Sequence, residues 1–123
     1  MVPLSSLSQE KPRQHNRIRV AIVGGLDRAR AQWLREARTL GVELEHHTGR
    51  TAGRGSAEII AIVRRADLVV IITDPNSHSG VAVARRAATS TALPHVLIKH
   101  LRPGDLSSVI TSALGAPALA AAP

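Results

Sequence analysis

Seven residues in the middle of the chain, Asp67 to Thr73, carry five consecutive aliphatic side chains between two polar ends. A strand that is apolar at every position has both faces buried, and such strands are typical of the centre of a parallel sheet. Parallel neighbours need a crossover connection, which is usually a helix. This segment therefore restricts the chain to folds in which helices cover both faces of a sheet.

The rest of the chain alternates between strand patterns and helix patterns. Runs of β-branched or alternating apolar residues predict three further strands, over residues 17–23, 42–47 and 94–100. Apolar residues at helical spacing predict helices over 26–40, 57–65 and 80–89, and a last helix that opens at Gly104. We expect Asp27 to cap the first helix and Ser56 to cap the second.

Strands that alternate with helices imply a parallel sheet with right-handed crossovers. The predicted fold class is α/β, a small Rossmann-like or flavodoxin-like parallel sheet of about four strands with flanking helices. The expected strand order is 2-1-3-4, with the topological switch point between the first and third strands. Ligands of such sheets bind beyond the carboxyl ends of the strands.

The length of 123 residues fits one domain. We assign residues 17–114 to this domain, 1–16 to a disordered N-terminal tail and 115–123 to an Ala/Pro-rich tail. The absence of a signal-peptide core and of a membrane-length apolar segment favours a cytoplasmic protein with no membrane partner. A domain of this size buries only roughly two-thirds of its unfolded surface, so we expect a homodimer. The Ala-rich third helix suits either packing across a two-fold axis or packing on its own sheet.

Sixteen Lys and Arg residues against nine Asp and Glu residues give a formal net charge of +7. This balance favours anionic partners such as phosphates and carboxylates. The absence of cysteine excludes disulfides and thiolate metal sites. Trp33 is the only aromatic residue, so the chain has no stacking platform for single-stranded nucleic acid, and we do not expect nucleic acid as a partner.

Polar and basic residues gather just after the predicted strands, and four of the six histidines are among them. We take as candidate ligand-binding residues Gly24, Gly25, Arg28, Arg50, Arg54, Asp74, Asn76, His100 and Arg102. We take as candidate metal ligands His46, His47 and His78.

Several of these groups also have a purely structural interpretation. The double glycine after the first strand suits a tight turn better than a dinucleotide site, because a full GxGxxG motif is missing. The glycine-rich loop over 48–56 is either a solvated loop or an anion site formed by backbone N–H groups and arginines. The segment from Asp74 to Ser77 suits a turn that caps the next helix.

The adjacent pair His46-His47 favours metal chemistry. Neighbouring strand residues point to opposite faces, so the two imidazoles are not expected to share one ion. Zinc hydrolases use ligand spacings such as HExxH, which do not occur in this chain. Haem needs only one or two histidines, an apolar cleft and cations for its propionates, and this edge of the sheet supplies those residue types.

Three segments resemble the bacterial family catalogued as domain of unknown function 2325. They are Ile22-Val23-Gly24-Gly25 near Arg28, His46-His47-Thr48-Gly49-Arg50, and Ile72-Thr73-Asp74 with His78 four residues on. The His-His-x-Gly-Arg segment is the most specific of the three. The chain departs from the family pattern at Pro75, where a larger residue is usual, and in an asparagine that does not directly adjoin His78. The resemblance implies a compact Rossmann-like domain, often dimeric, and an association with histidine-ligated haem and dioxygen.

The first hypothesis is therefore a protein that binds haem b by histidine ligation and that binds or senses dioxygen or another diatomic gas. The candidate axial ligands are His46, His47 and His78, and the candidate propionate partners are Arg50, Arg54 and Arg102. The alternative is a non-catalytic regulatory module that binds a phosphorylated small anion or a nucleotide at the same edge. A receiver-like phosphoacceptor lacks the paired acids after the first strand, and a hydrolase lacks a nucleophile elbow. We therefore favour a binding role over an enzymatic one.

Overall fold

The structure is a computed structural model that describes residues 17–115. The tails expected over 1–16 and 115–123 lie outside this range apart from Gly115. The strands are β1 (Arg19–Val23), β2 (Glu43–His47), β3 (Leu68–Ile72) and β4 (His95–Ile98). The helices are α1 (Arg30–Leu40), α2 (Gly55–Arg65), α3 (His78–Ser90) and α4 (Asp105–Leu114), and a 3₁₀ turn over Asp27–Ala29 precedes α1.

The four strands form one parallel sheet in the order β2-β1-β3-β4. This arrangement confirms the predicted α/β fold class and the predicted strand order. In the register of the sheet, Ile22 of β1 lies between His46 of β2 and Val70 of β3. Because all strands run the same way, their carboxyl ends meet at one edge of the sheet.

Helices cover both faces of the sheet, as the apolar character of β3 predicts. All five residues of β3 are at most 1% exposed. Residues of α1 and α4 pack on one face with those of the strands, namely Val20, Ile22, Trp33, Ala37, Leu68, Val70, Ile72, Leu106 and Ile110. Residues of α2 and α3 pack on the other face, namely Ala21, Val23, Ile59, Ile62, Val63, Val69, Ile71, Ala84, Ala87 and Ala88.

The alanines of α3 serve packing inside the chain. Ala84, Ala87 and Ala88 are buried between α3, α2 and the sheet. Small side chains let the two helices approach each other closely on this face. Of the two interpretations that the Ala-rich pattern left open, packing on the chain's own sheet is the one that the structure confirms.

The predicted cap of α2 is wrong. The helix begins at Gly55, so Ser56 lies inside its first turn and Arg54 occupies the cap position without a side-chain hydrogen bond. A Cβ atom at Gly55 would collide with the carbonyl oxygen of Arg50. The tight fold of the preceding loop therefore requires glycine at this point, and the helix starts there.

The predicted cap of α1 is wrong as well. Asp27 opens the 3₁₀ turn, and its carboxylate accepts a hydrogen bond from the Arg30 guanidinium instead of capping α1. Leu26, where the predicted helix begins, is 45% exposed. Both differences arise because a 3₁₀ turn with no buried residue precedes the α-helix, which begins only at Arg30.

Within residues 17–115, no helix has both the length and the apolar character that crossing a membrane requires.

Candidate functional site

Two adjoining clefts open at the carboxyl edge of the sheet. The first has a volume of about 760 Å³ and lies between the segments that follow β1 and β3. The second has a volume of about 730 Å³ and lies between the end of β2, the glycine-rich loop and the first turn of α2. Asp27, Thr48 and Arg50 line both clefts, so the clefts share a wall.

His46 lines the second cleft, and both of its ring nitrogens are hydrogen-bonded. Its Nε2 lies 2.7 Å from the carbonyl oxygen of Gly24, and its Nδ1 lies 3.0 Å from Nε of Arg30. A carbonyl only accepts a hydrogen bond and a guanidinium only donates, so the proton is on Nε2 and the lone pair is on Nδ1. The partners thereby fix both the tautomer and the orientation of the ring.

The surroundings of His46 favour its neutral form. The ring packs edge-on against Trp33, with 5.1 Å between the ring centroids. Burial lowers the pKa of His46 below its ordinary value of 6.5; the Gly24 carbonyl opposes this effect, and the positive charge of Arg30 adds to it. A neutral imidazole with a fixed tautomer is the form that binds metal ions.

His47 lies on the opposite face of the sheet, as the alternation of a strand predicts. Its Nδ1 accepts the N–H of Gly49 at 3.0 Å, and its Nε2 donates to the carboxylate of Glu58 at 3.0 Å. The side chain is 14% exposed. Both ring nitrogens thus hold the glycine-rich loop and α2 in place, and a metal would have to displace one of these partners.

The double glycine after β1 ties three strand ends together. The N–H of Gly24 donates to the carbonyl of His47 at 2.7 Å, and the N–H of Gly25 donates to the carbonyl of Pro75 at 2.9 Å. Both amides are used by the fold itself and do not point at a ligand. The turn interpretation of Gly24-Gly25 therefore describes the structure, and only Gly25 lines a cleft.

Asn76 lines the first cleft and also contacts the carboxyl ends of β1 and β3. Its Nδ2 donates to the carbonyls of Ile72 at 2.7 Å and Val23 at 3.3 Å, and its Oδ1 accepts the N–H of Ser77 at 2.7 Å. Both polar atoms are therefore used inside the fold. Asn76 forms part of the cleft wall and holds β1 and β3 in register at their ends.

Hydroxyl groups connect the glycine-rich loop to α3. Ser77 Oγ accepts the N–H of Gly80 at 2.8 Å and donates to the carbonyl of Gly49 at 2.9 Å. This contact confirms that the segment after β3 caps α3. Thr51 and Ser79 add a hydroxyl pair at 2.8 Å. The loop over 48–56 is thus anchored at its start.

Three arginines give the clefts their charge. Arg28 lines the first cleft, Arg54 lines the second, and Arg50 lines both. In the part of the chain that the structure describes, none of the three forms an ion pair with a carboxylate. Together with Arg30, these arginines outnumber the carboxylates of Asp27 and Glu58, so the site is positively charged.

Four other candidates, Asp74, His78, His100 and Arg102, line neither of the two clefts. His78 is the first residue of α3 and lines a third cavity of about 360 Å³, which shares Asn76 and Ser77 with the first cleft. His100 donates from Nδ1 to the carbonyl of Asp74 at 3.1 Å, which links the segments after β3 and β4. The structure therefore brings His46, His47 and the loop arginines together in the second cleft, whereas His78 lines a cavity on the other side of the first cleft.

Among residues 17–115, no three side chains of His, Asp or Glu converge in a geometry suited to holding a metal ion. A three-ligand zinc site of the hydrolytic type is thus not formed by this part of the chain. Haem needs only one or two protein ligands and cations for its propionates, so its binding does not require three converging side chains.

Two residues of the second cleft escaped prediction, Arg30 and Glu58. Each lies in the first turn of a helix and reaches a histidine of β2, on opposite faces of the sheet. The only sequence signals were the three-residue spacing from Asp27 to Arg30, typical of a helical ion pair, and an acidic residue in the first turn of α2.

A comparison with protein families identifies the family of the chain. The model of a family described as uncharacterized protein conserved in bacteria (DUF2325) matches residues 19–112. The chain belongs to this family. The resemblance of the three segments is thereby confirmed, and both clefts of this DUF2325 domain lie inside the matched range. Comparison of the chain with curated proteins and with solved structures gave no match.

Proposed function

We propose that this DUF2325 domain is a cytoplasmic, non-catalytic protein that binds haem b at the carboxyl edge of its sheet, with His46 as an axial ligand. The observation that carries the proposal is the hydrogen bond from Nε2 of His46 to the carbonyl of Gly24. Metal-binding histidines commonly donate their other ring N–H to a backbone carbonyl, which orients the ring and makes it a better ligand. Nδ1, which carries the lone pair, is then the atom that would hold iron.

The arginines of the clefts suit the propionates of haem. Haem carries two propionates, and arginines without carboxylate partners suit such anions. Arg50 and Arg54 lie in the same cleft as His46, and Arg28 lies in the adjoining one. Exposed Leu26 adds apolar surface to the first cleft. Bound haem would supply an iron able to take up dioxygen or another diatomic gas.

A haemin titration tests this function. The purified protein is titrated with haemin and reduced, and the visible spectrum is recorded at each stage. We expect a shifted Soret band in the unmodified protein and its loss in His46→Ala. His95→Ala, at the amino end of β4, is the matched control and keeps the band. The spectrum of free haemin in the unmodified protein, or an unchanged band in His46→Ala, would overturn the proposal.

His47 and His78 are the remaining candidate ligands. His47 would have to give up its bond to Gly49 or Glu58, and His78 lines a cavity that shares no residue with the cleft of His46. We therefore expect His47→Ala and His78→Ala to change the Soret band less than His46→Ala does. The same titration measures this order.

The second candidate function is binding of a phosphorylated small anion or nucleotide in a regulatory module. It is favoured by the three arginines of the clefts, which have no ion pair within residues 17–115. A ligand that binds only the folded state raises the melting temperature. A rise with ATP or pyrophosphate, lost in Arg50→Met and combined with free-haemin spectra, would select this function over haem binding.

We also propose that the domain forms a homodimer through β4. This strand ends the sheet, and its outer edge has no strand partner among residues 17–115. It contains no Asp, Glu, Lys or Arg, and Leu97 is 43% exposed. The opposite edge strand, β2, carries Glu43 and Glu45, and such charges discourage edge pairing.

Light scattering tests the dimer. We expect a dimeric mass for the unmodified protein and a monomeric mass for Leu97→Lys. Leu34→Lys is the matched control, because Leu34 is 37% exposed on α1, away from the edge. A monomeric unmodified protein would exclude the dimer, and a dimeric Leu97→Lys variant would exclude the β4 interface.

A further inference from the structure

Arg30 donates a hydrogen bond to the lone pair of His46 that would bind iron in the proposed function. Its Nε donates to Nδ1 of His46 at 3.0 Å, and its Nη2 donates to Oδ1 of Asp27 at 2.8 Å. Nε2 of the same ring already carries the proton that goes to Gly24. A neutral imidazole has only one lone pair in the ring plane, so Arg30 and an incoming metal compete for the same atom.

We infer that Arg30 controls access to Nδ1 of His46: its guanidinium blocks this nitrogen and must withdraw before any metal or electrophile reaches it. The inference rests on the proposed function where it concerns haem. It assigns Arg30 the opposite effect from the other cleft arginines. Arg28, Arg50 and Arg54 attract an anionic ligand, whereas Arg30 reduces its affinity by holding the imidazole.

The structure permits this withdrawal. The side chains of Arg30 and Asp27 are 43% and 73% exposed, and an ion pair between exposed groups contributes little to stability. The guanidinium lies on a long flexible stem at the start of α1. When Arg30 leaves Nδ1, its charge stays beside the second cleft, which it already lines. Release of the imidazole therefore leaves this positive charge at the site.

A charge-matched pair of variants separates the two roles. Arg28→Met and Arg30→Met each remove one positive charge from the same segment of chain and keep the length of an unbranched side chain. Arg28 lines the first cleft and has no hydrogen bond to His46, whereas Arg30 lines the second cleft and has one. Comparison of the two variants thus removes the effect of net charge, and only Arg30→Met also loses the bond to Nδ1.

The first measurement is the dissociation constant for haemin. A hydrogen bond of this kind is worth about a two- to tenfold change in an equilibrium constant. We expect Arg30→Met to bind haemin about that much more tightly than Arg28→Met. Equal or weaker binding in Arg30→Met would overturn the inference. Circular dichroism melting curves of both variants establish that each is folded.

The second measurement needs no haem. The lone pair of a neutral imidazole attacks a carbonyl carbon of diethyl pyrocarbonate, which leaves an ethoxycarbonyl group on the nitrogen and releases ethyl carbonate. Mass spectrometry of the peptides gives the rate of this carbethoxylation at His46. We expect faster reaction at His46 in Arg30→Met than in Arg28→Met, with the rate at His95 the same in both. Equal rates at His46 would overturn the inference. If the unmodified protein does not bind haemin, the proposed function fails, and this rate alone decides the role of Arg30.

Discussion

The side-chain amide of Asn76 donates to the main-chain carbonyl of Ile72 at 2.7 Å, and the same nitrogen reaches the carbonyl of Val23 at 3.3 Å. These carbonyls end β3 and β1, where the backbone ladder between the two strands stops. One amide therefore joins the carboxyl ends of β1 and β3. The carboxyl edge depends on this residue for its shape.

Loss of this amide should destabilise the domain. Removal of a partner from a partly buried acceptor costs about 1–3 kcal/mol, so we expect Asn76→Ala to lower the free energy of unfolding by about that amount. Urea denaturation measures it. Ser79→Ala, three residues along the same segment and exposed, is the control and changes stability little. Equal effects of both substitutions would contradict the role of Asn76.

Glycine is required at position 25 but not at position 53. Both residues have positive φ, +85° and +63° respectively. A Cβ atom at Gly25 would lie against the ring of Trp33, whereas one at Gly53 would meet no atom within 4 Å. We expect Gly53→Ala to cost about 1 kcal/mol from backbone strain alone, and Gly25→Ala to cost clearly more. Thermal melting of the two variants side by side tests the order.

Ser77 should contribute to stability as the cap of α3, and Ser56 should not contribute as a cap. Ser77 Oγ accepts the amide of Gly80 at 2.8 Å, whereas Ser56 lies inside the first turn of α2. Replacement of a capping serine by alanine costs about 1 kcal/mol. We expect that loss in Ser77→Ala and almost none in Ser56→Ala, measured by urea denaturation. A larger loss in Ser56→Ala would mean that α2 begins where the sequence pattern places it.

Stability should fall on mild acidification because of His46. Its pKa is lower in the folded chain than its ordinary value of 6.5, mainly through burial. Between the folded and the ordinary value the unfolded chain binds more protons, so stability is full above pH 6.5 and declines as the pH drops through that window. Unfolding free energies across the window measure the decline. We expect His46→Gln to reduce it and His95→Gln to leave it; the same slope in all three proteins would contradict this assignment.

The sheet could be predicted because its signals are local and repeated. The aliphatic run of β3 requires burial on both faces, and strands alternating with helices leave few topologies. The half-buried character of β2 was also visible in its alternation, and all five of its residues are of intermediate exposure. These features depend on residue type and spacing alone.

The details of the site depend on contacts between distant parts of the chain. The sequence placed His46 at a strand end, but its bonds to Gly24 and Arg30 join residues 22 and 16 positions away. The start of α2 was misplaced for a similar reason, because the carbonyl of Arg50 leaves no room for a side chain at Gly55. Propensity and spacing indicate the secondary structure that a residue favours. They do not indicate which atom from a distant part of the chain contacts its side chain.

The wall shared by the two clefts provides a route for coupling between their occupants. A ligand that moved Asp27 or Arg50 in one cleft would alter the surface offered by the other, since both residues line both. Asp27 also holds Arg30, so a ligand of the first cleft that displaced Asp27 would change how firmly Arg30 holds His46 in the second. Such coupling is reciprocal: whatever one occupant does to the affinity of the other, the second must do to the first by the same factor.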